Sequence, residues 1–275
     1  MPNFIVGARL HDYGKGTPDE LFGKVSADGF AAVQLAYKKC VPTVKSYADV
    51  TDALVAETVA AEKAHRIQVA VLGTYVELAI NDESRLCNVA DFKSQLSVCK
   101  ALGAGCIGTE TTAMSKQPAG TTRAQAQELL CRSLAEILPA AEALGVTVGI
   151  EPVTYHSMNS AAATRHILDT MRSPNLKVIF DMSNLVSAEN VDAQDRIWYD
   201  MGALLRDQIV AVHFKGQAFA PDGSLLHTSL EESRTDYAGA FAMLRQLPQP
   251  ALPVLREEAV PARAASDIAF MKGFF

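Results

Sequence analysis

The chain has little of what would take it outside the ordinary soluble globular class. It holds a single tryptophan and five cysteines, Cys40, Cys87, Cys99, Cys106 and Cys131. The count is odd and no C-x-x-C pair occurs, which fits reduced thiols in a cytoplasm better than a disulfide framework. Most of these thiols read as small core residues. No apolar run approaches the roughly 20 residues of a membrane span, so no membrane partner is expected. The opening "MPNFIVGARLHDYG" lacks a basic segment followed by a long apolar core, so no secretory signal is expected either. No run of Lys and Arg stands out, and the formal net charge is −6. Phosphate binding relies on clustered cations, so a nucleic-acid partner is not expected.

What is present is an alternation. Of the 275 residues, 49% are hydrophobic and 20% charged, enough for a sizeable core. Runs rich in Val, Ile, Ala and Leu lie near 4–9, 31–36, 67–73, 104–109, 146–151, 176–181, 209–214 and 252–257. Strands covered on both faces have this character. Amphipathic stretches separate them. In "TTRAQAQELLCRSLAEILPAAEALG", Leu129, Leu130, Leu134, Ile137 and Leu138 share one face, Thr121 or Thr122 is the cap, and Gly145 is the stop. "NSAAATRHILDTMRSPN" predicts a helix capped by Asn159 or Ser160 and stopped by Ser173 and Pro174. Strand starts recur every ~27 to 43 residues, and eight such strand–helix repeats predict an α/β fold, a single-domain (β/α)8 TIM barrel over 1–275. An open doubly wound sheet is the main alternative. Its Gly-rich turn is missing: "HDYGKGTPDE" offers Gly14 and Gly16 without a third glycine opening a helix.

Four of the apolar runs stop at residues that bind metals. "VTVGIEPVTYH" stops at Glu151, "LKVIFDMSNL" at Asp181, "IVAVHFKG" at His213 and "LPVLREEA" at Glu257 and Glu258. Each has an ordinary reading. A strand-end glutamate is commonly a solvated loop residue, Asp181 can cap a turn, and His213 can be a satisfied core histidine. In a (β/α)8 barrel, however, the C-terminal strand ends meet on one face, where active sites lie. Glu151, Asp181, His213 and Glu257 would then converge at strands five to eight. Carboxylates with one imidazole suit a single divalent ion such as Mn2+, Mg2+ or Co2+. The absence of Cys from the set argues against a structural zinc site. Strand alternation puts Glu257 on the side of Leu255 and Glu258 on the other, so Glu257 is chosen and Glu258 stays an alternative.

The motifs "GIEP", "FDMSN", "VHFKG" and "LREEA", spread over most of the chain, resemble the xylose isomerase-like TIM barrel superfamily, the sugar phosphate isomerase/epimerase group. "LHDYG", "GFAAVQLA", "LGTYVELA" and "TDYAGAF" add to the resemblance. It implies a metal-dependent epimerase or isomerase acting on a small-molecule sugar or sugar phosphate. In the ketose 3-epimerases of the group, the strand-five and strand-eight glutamates exchange a proton through a metal-stabilised enediolate. Glu151 and Glu257 would take those roles here, as ligands and as acid and base. The resemblance also points to substrate contacts from His156, Asn184, Lys215, Glu110 and His11, with Glu110, Gln34 and His11 ending strands four, two and one. Two departures stand out: Asn184 occupies the place of a sugar-contacting histidine, and Gly216 that of an aspartate in H-x-K-D. A cyclitol dehydratase or a hydroxypyruvate isomerase-type enzyme is the alternative on the same scaffold. A non-catalytic sugar-binding barrel is the alternative of another class. Cleavage of DNA at abasic sites, a relative's chemistry, would require further histidine ligands where this chain has Gln34, Tyr75 and Glu110. Homo-oligomers are common in the group, so a homo-oligomer is a further expectation.

Overall fold

The computed structural model describes the backbone of residues 1–275 and every side chain except that of Asp82. The apolar runs form strands because both of their faces find cover, the barrel interior on one side and a ring of helices on the other. The strands are β1 (Asn3–Arg9), β2 (Ala32–Leu35), β3 (Gln68–Gly73), β4 (Cys106–Glu110), β5 (Val148–Glu151), β6 (Leu176–Asp181), β7 (Ile209–Phe214), β8 (Gly216–Phe219), β9 (Leu225–Thr228) and β10 (Ala251–Arg256). Eight of them close a parallel barrel in the order β1-β10-β7-β6-β5-β4-β3-β2, and β8 and β9 pair separately as an antiparallel hairpin. The (β/α)8 expectation therefore holds. The hairpin is an addition that the sequence reading did not foresee.

Local chemistry sets the helix bounds. Thr122 accepts the N–H of Gln125 and completes a capping box at the start of the helix Arg123–Leu144, and Gly145 ends it in the left-handed region, φ 68°. Ser160, rather than Asn159, caps Ala161–Met171, which stops one residue before Arg172 at φ 52°. Asp236 caps Tyr237–Leu244 through the Gly239 N–H at 3.0 Å.

Two cores result. The large one fills the layer between strands and helices. The small one lies inside the barrel and includes Ala32, Val71, Cys106, Ile179, Ala211 and Leu255. Ile179 is accommodated because Gly108 and Gly149 face it: an added Cβ would lie 2.4 Å and 2.8 Å from its side chain. Small residues on one side of the barrel thus balance a branched one on the other.

The strand ends differ from expectation at two places that bear on the site. β1 ends at Arg9, and His11 lies in a 3-10 turn over Leu10–Tyr13, not at the strand end. Arg9 grips Asp12 at 2.7 and 3.0 Å and Leu10 is fully buried, so the chain turns there. β10 ends at Arg256, one residue short of Glu257. The Glu257 N–H still donates to the Phe214 carbonyl at 3.0 Å, so strand geometry carries through it.

Candidate metal centre

Parity along the strands decides which side chains reach the barrel mouth. Successive side chains alternate between faces, so a residue two beyond an interior one points inward above it. Glu151 stands two beyond Gly149, Asp181 beyond Ile179, His213 beyond Ala211 and Glu257 beyond Leu255. All four are buried. Glu151, Asp181 and His213 each offer a ligand atom, and these atoms lie within 4.8 Å of one another. Glu257 stands beside the trio, with Oε1 3.4 Å from His213 Nδ1. Glu151 Oε2 approaches the same nitrogen from another side at 3.1 Å. Glu258 turns away, with φ 54°, to pair with Arg9 at 2.9 Å.

The donor set fits a divalent cation. Both ring nitrogens of His213 and Oδ2 of Asp181 are buried without a hydrogen bond. Buried polar atoms of this kind ordinarily find a partner, and a ligated ion would supply one. The pocket floored by Val71, Gly108 and Ile179 and walled by Glu151, His213 and Glu257 holds about 20 Å³. That is room for one ion or water and too little for a sugar.

Lys215 reaches the same centre. Its Nζ donates to Asn184 Oδ1 at 2.8 Å. It also lies 2.9 Å from Asp181 Oδ2, close enough for an ion pair but out of line for a hydrogen bond, and 3.8 Å from Glu257 Oε2. Burial works against its charge, but Asp181, Glu257 and Glu151 outweigh it and keep Lys215 protonated. Asn184 binds both sides of the centre. Its Nδ2 donates to Glu151 Oε1 at 2.5 Å, and its backbone N–H donates to Asp181 Oδ1 at 2.9 Å. With no ion bound, burial pulls the His213 imidazole down, but Glu257 and Glu151 together raise it to about 9.

Outside the centre lies a cavity of ≈ 430 Å³, reached through Tyr75, Thr109 and Glu110, which line both spaces. Glu110 ends β4 in register with Glu151. Burial at the mouth and the Glu151 charge raise its carboxyl to about 8, although 43% of its side chain remains open to the cavity. His156 lies 3.9 Å from Glu110 and is held neutral, its ring lowered to about 4 by burial. His11 is packed edge-on against Tyr75, one ring behind the cavity, and burial with Arg9 and Lys39 lowers it to about 4.

The structure thus brings Glu151, Asp181, His213, Glu257, Asn184 and Lys215 together, places Glu110 and His156 in the adjoining cavity, and sets His11 behind it. Sequence reasoning missed Arg9. Its guanidinium pairs with Asp12 and Glu258 and lies 3.8 Å from Glu257. Parity above inward-facing Gly7 was the available signal. The departure at Gly216 has a steric cause: a Cβ there would lie 2.3 Å from the Ser229 carbonyl and 2.4 Å from that of Thr228. The hairpin crosses too closely for any side chain.

The family described as xylose isomerase-like TIM barrel matches residues 22–273. Among solved structures, a 3-keto-D-glucoside 4-epimerase from E. coli is 17% identical, with TM-score 0.72 over 98% of this chain and 100% of its own. A D-psicose 3-epimerase studied in the presence of D-fructose is 18% identical, with TM-score 0.71 over 100% and 99%. A xylose isomerase-like TIM barrel protein from Mycobacterium smegmatis, in complex with magnesium, is 14% identical, with TM-score 0.72 over 98% and 96%. At these identities the likeness concerns the fold. No curated protein matches the chain in sequence.

Proposed function

The chain belongs to the xylose isomerase-like TIM barrel family, and from that premise we propose that it is a divalent-metal-dependent epimerase or isomerase of a small sugar. One observation carries the reading: two buried glutamates, Glu151 and Glu257, approach one imidazole nitrogen at 3.1 and 3.4 Å. Glu151, Asp181 and His213 would hold the ion, with Glu257 completing the set. Bound there, it would supply the positive charge that offsets the negative charge developing on a ketone as its α-proton leaves. Glu151 ends β5 and Glu257 follows β10, so one can remove the α-proton as a carboxylate while the other, carrying its own proton, delivers one to the opposite face, as in a ketose 3-epimerase. Asn184 keeps the Glu151 carboxylate aimed, and Lys215 and Arg9 stand beside Glu257. Glu110 and His156 supply a proton donor and a neutral imidazole to the hydroxyls of a substrate in the outer cavity. The structures likened to this fold include epimerases of free ketoses and of a keto-glucoside, which supports the same class here.

The test is uptake of carbon-bound deuterium by neutral ketoses in D2O, with Mn2+-loaded protein. The intact protein should exchange the proton next to the carbonyl. Glu151→Gln should slow exchange by about 10²–10⁴-fold. Full metal and sugar binding without exchange would assign the chain instead to the non-catalytic sugar-binding barrels.

A further inference from the structure

A second cavity, ≈ 630 Å³, opens on the same face of the barrel. Its walls come from the loop after β5, the turn after β6 and the β8–β9 hairpin. It adjoins the site at two residues. Tyr155 lines both it and the 430 Å³ cavity over Glu110 and His156. Asn184 forms part of its wall while its amide holds Glu151. Each space lies within the about 300–1,000 Å³ usual for small-molecule sites, so each can hold its own ring.

The lining is mixed. Phe219 and Leu225 of the hairpin and Tyr155 opposite supply apolar surface, with Tyr155 54% and Leu225 41% exposed. Asn159 and Thr154 supply polar groups, and Arg123 enters fixed by a hydrogen bond to the His156 carbonyl. The walls are firm. The Gln217 side-chain amide donates to the Ser183 carbonyl at 2.6 Å and to that of Val186 at 3.1 Å, which ties the foot of the hairpin to the turn after β6. Exposed aromatic and aliphatic faces beside amide, hydroxyl and guanidinium groups match a pyranose ring, which has C–H faces and hydroxyl edges. A free monosaccharide with its carbonyl at the metal centre would leave this space unfilled.

We propose that the cavity between Tyr155 and the β8–β9 hairpin is a second sugar subsite, and that the substrate is a ketose carrying another sugar ring on a hydroxyl remote from its carbonyl. This rests on the proposed sugar chemistry at the metal centre, but binding tests it separately from turnover. Calorimetry on Mn2+-loaded protein would compare D-fructose with lactulose, maltulose and isomaltulose, which carry the second ring on O4 or O6 of fructose. At least one disaccharide should bind about tenfold or more tightly than fructose. Phe219→Ala and Leu225→Ser, outside the metal centre, should each remove most of that advantage and leave fructose affinity within about twofold. Equal affinity for fructose and all three disaccharides, or an equal loss for both classes in the variants, would overturn the subsite. A disaccharide preference without deuterium uptake would uphold the subsite and sink the proton-transfer reading.

Discussion

Binding a divalent ion at this centre should expel a proton from His213, and the structure sets the size of the effect. With no ion bound, the imidazole is raised from 6.5 to about 9 by Glu257 and Glu151, against the opposing effect of burial. That difference corresponds to about 3 kcal/mol of metal-free stability. Because the folded value lies above the unfolded one, this stability is complete below pH 6.5 and is lost as pH rises through about 9. A metal ligand must be the neutral imidazole, so the proton has to leave. At pH 7 nearly every His213 is protonated, and apparent metal affinity should rise about tenfold per pH unit until about 9. Between pH 6.5 and 8.5 the gain should be about a hundredfold. Mn2+ titrations in buffers of different ionisation enthalpy would count the protons released. At pH 7.5 the count should be about one from His213, with a further fraction from Glu110, which titrates near 8. His213→Asn should remove the first contribution and flatten the pH dependence. Tight binding with no proton release, or with affinity constant from pH 6.5 to 8.5, would refute the assignment of His213 as a ligand.

Two further expectations concern the supports of the centre. Arg256 and Asp267 form a buried pair at 2.7 Å, and the same guanidinium holds the Glu257 carbonyl. Asp267→Asn leaves that cation without its counter-charge and should cost about 3–5 kcal/mol in urea unfolding; loss below about 1 kcal/mol would show the pair to be dispensable. Gly216→Asp restores the carboxylate common in the group, yet its Cβ meets the Ser229 and Thr228 carbonyls at 2.3 and 2.4 Å. It should lower stability by about 1–3 kcal/mol and add no metal affinity; tighter Mn2+ binding would contradict the steric account.

The barrel was legible because its strands are short, apolar and regularly spaced, and because parallel strands deliver their ends to one face. Parity then singled out Glu257 over Glu258 from the single assumption that Leu255 points inward, which the small core inside the barrel bears out. Asn184 was read as standing where ketose epimerases place a sugar-contacting histidine. In the fold it ties Glu151, Asp181 and Lys215 together, a role set by three strands and invisible in any one segment. The hairpin escaped notice for a similar reason. "GQAF" and "LLHT" are too short for periodicity to register, and only their pairing makes them strands. His11 was placed at the end of strand one although it lies two residues past the 4–9 run; the strand ends at Arg9, and His11 falls in the following 3-10 turn, where Arg9 and Asp12 pair.

For the sugar chemistry proposed above, the charges around the centre narrow the kind of substrate. Three buried carboxylates, Glu151, Asp181 and Glu257, face the ammonium of Lys215. Arg9 is largely taken by Asp12 and Glu258. The excess is two negative charges, which one divalent cation cancels once His213 is neutral. In the outer cavity Lys116 already pairs with Glu77, and Lys39 stands over the Tyr75 ring on the side where Glu110 also opens. Neither space carries the surplus of cations that a phosphate requires. The second cavity is lined by one cation and one carboxylate, Arg123 and Glu189. The electrostatics therefore favour a neutral polyhydroxy ketone over a sugar phosphate. In the proposed reaction the ketose would then be held by hydrogen bonds from Glu110 and His156 and by the Tyr155 ring, while Phe219 and the hairpin are left to a second uncharged ring.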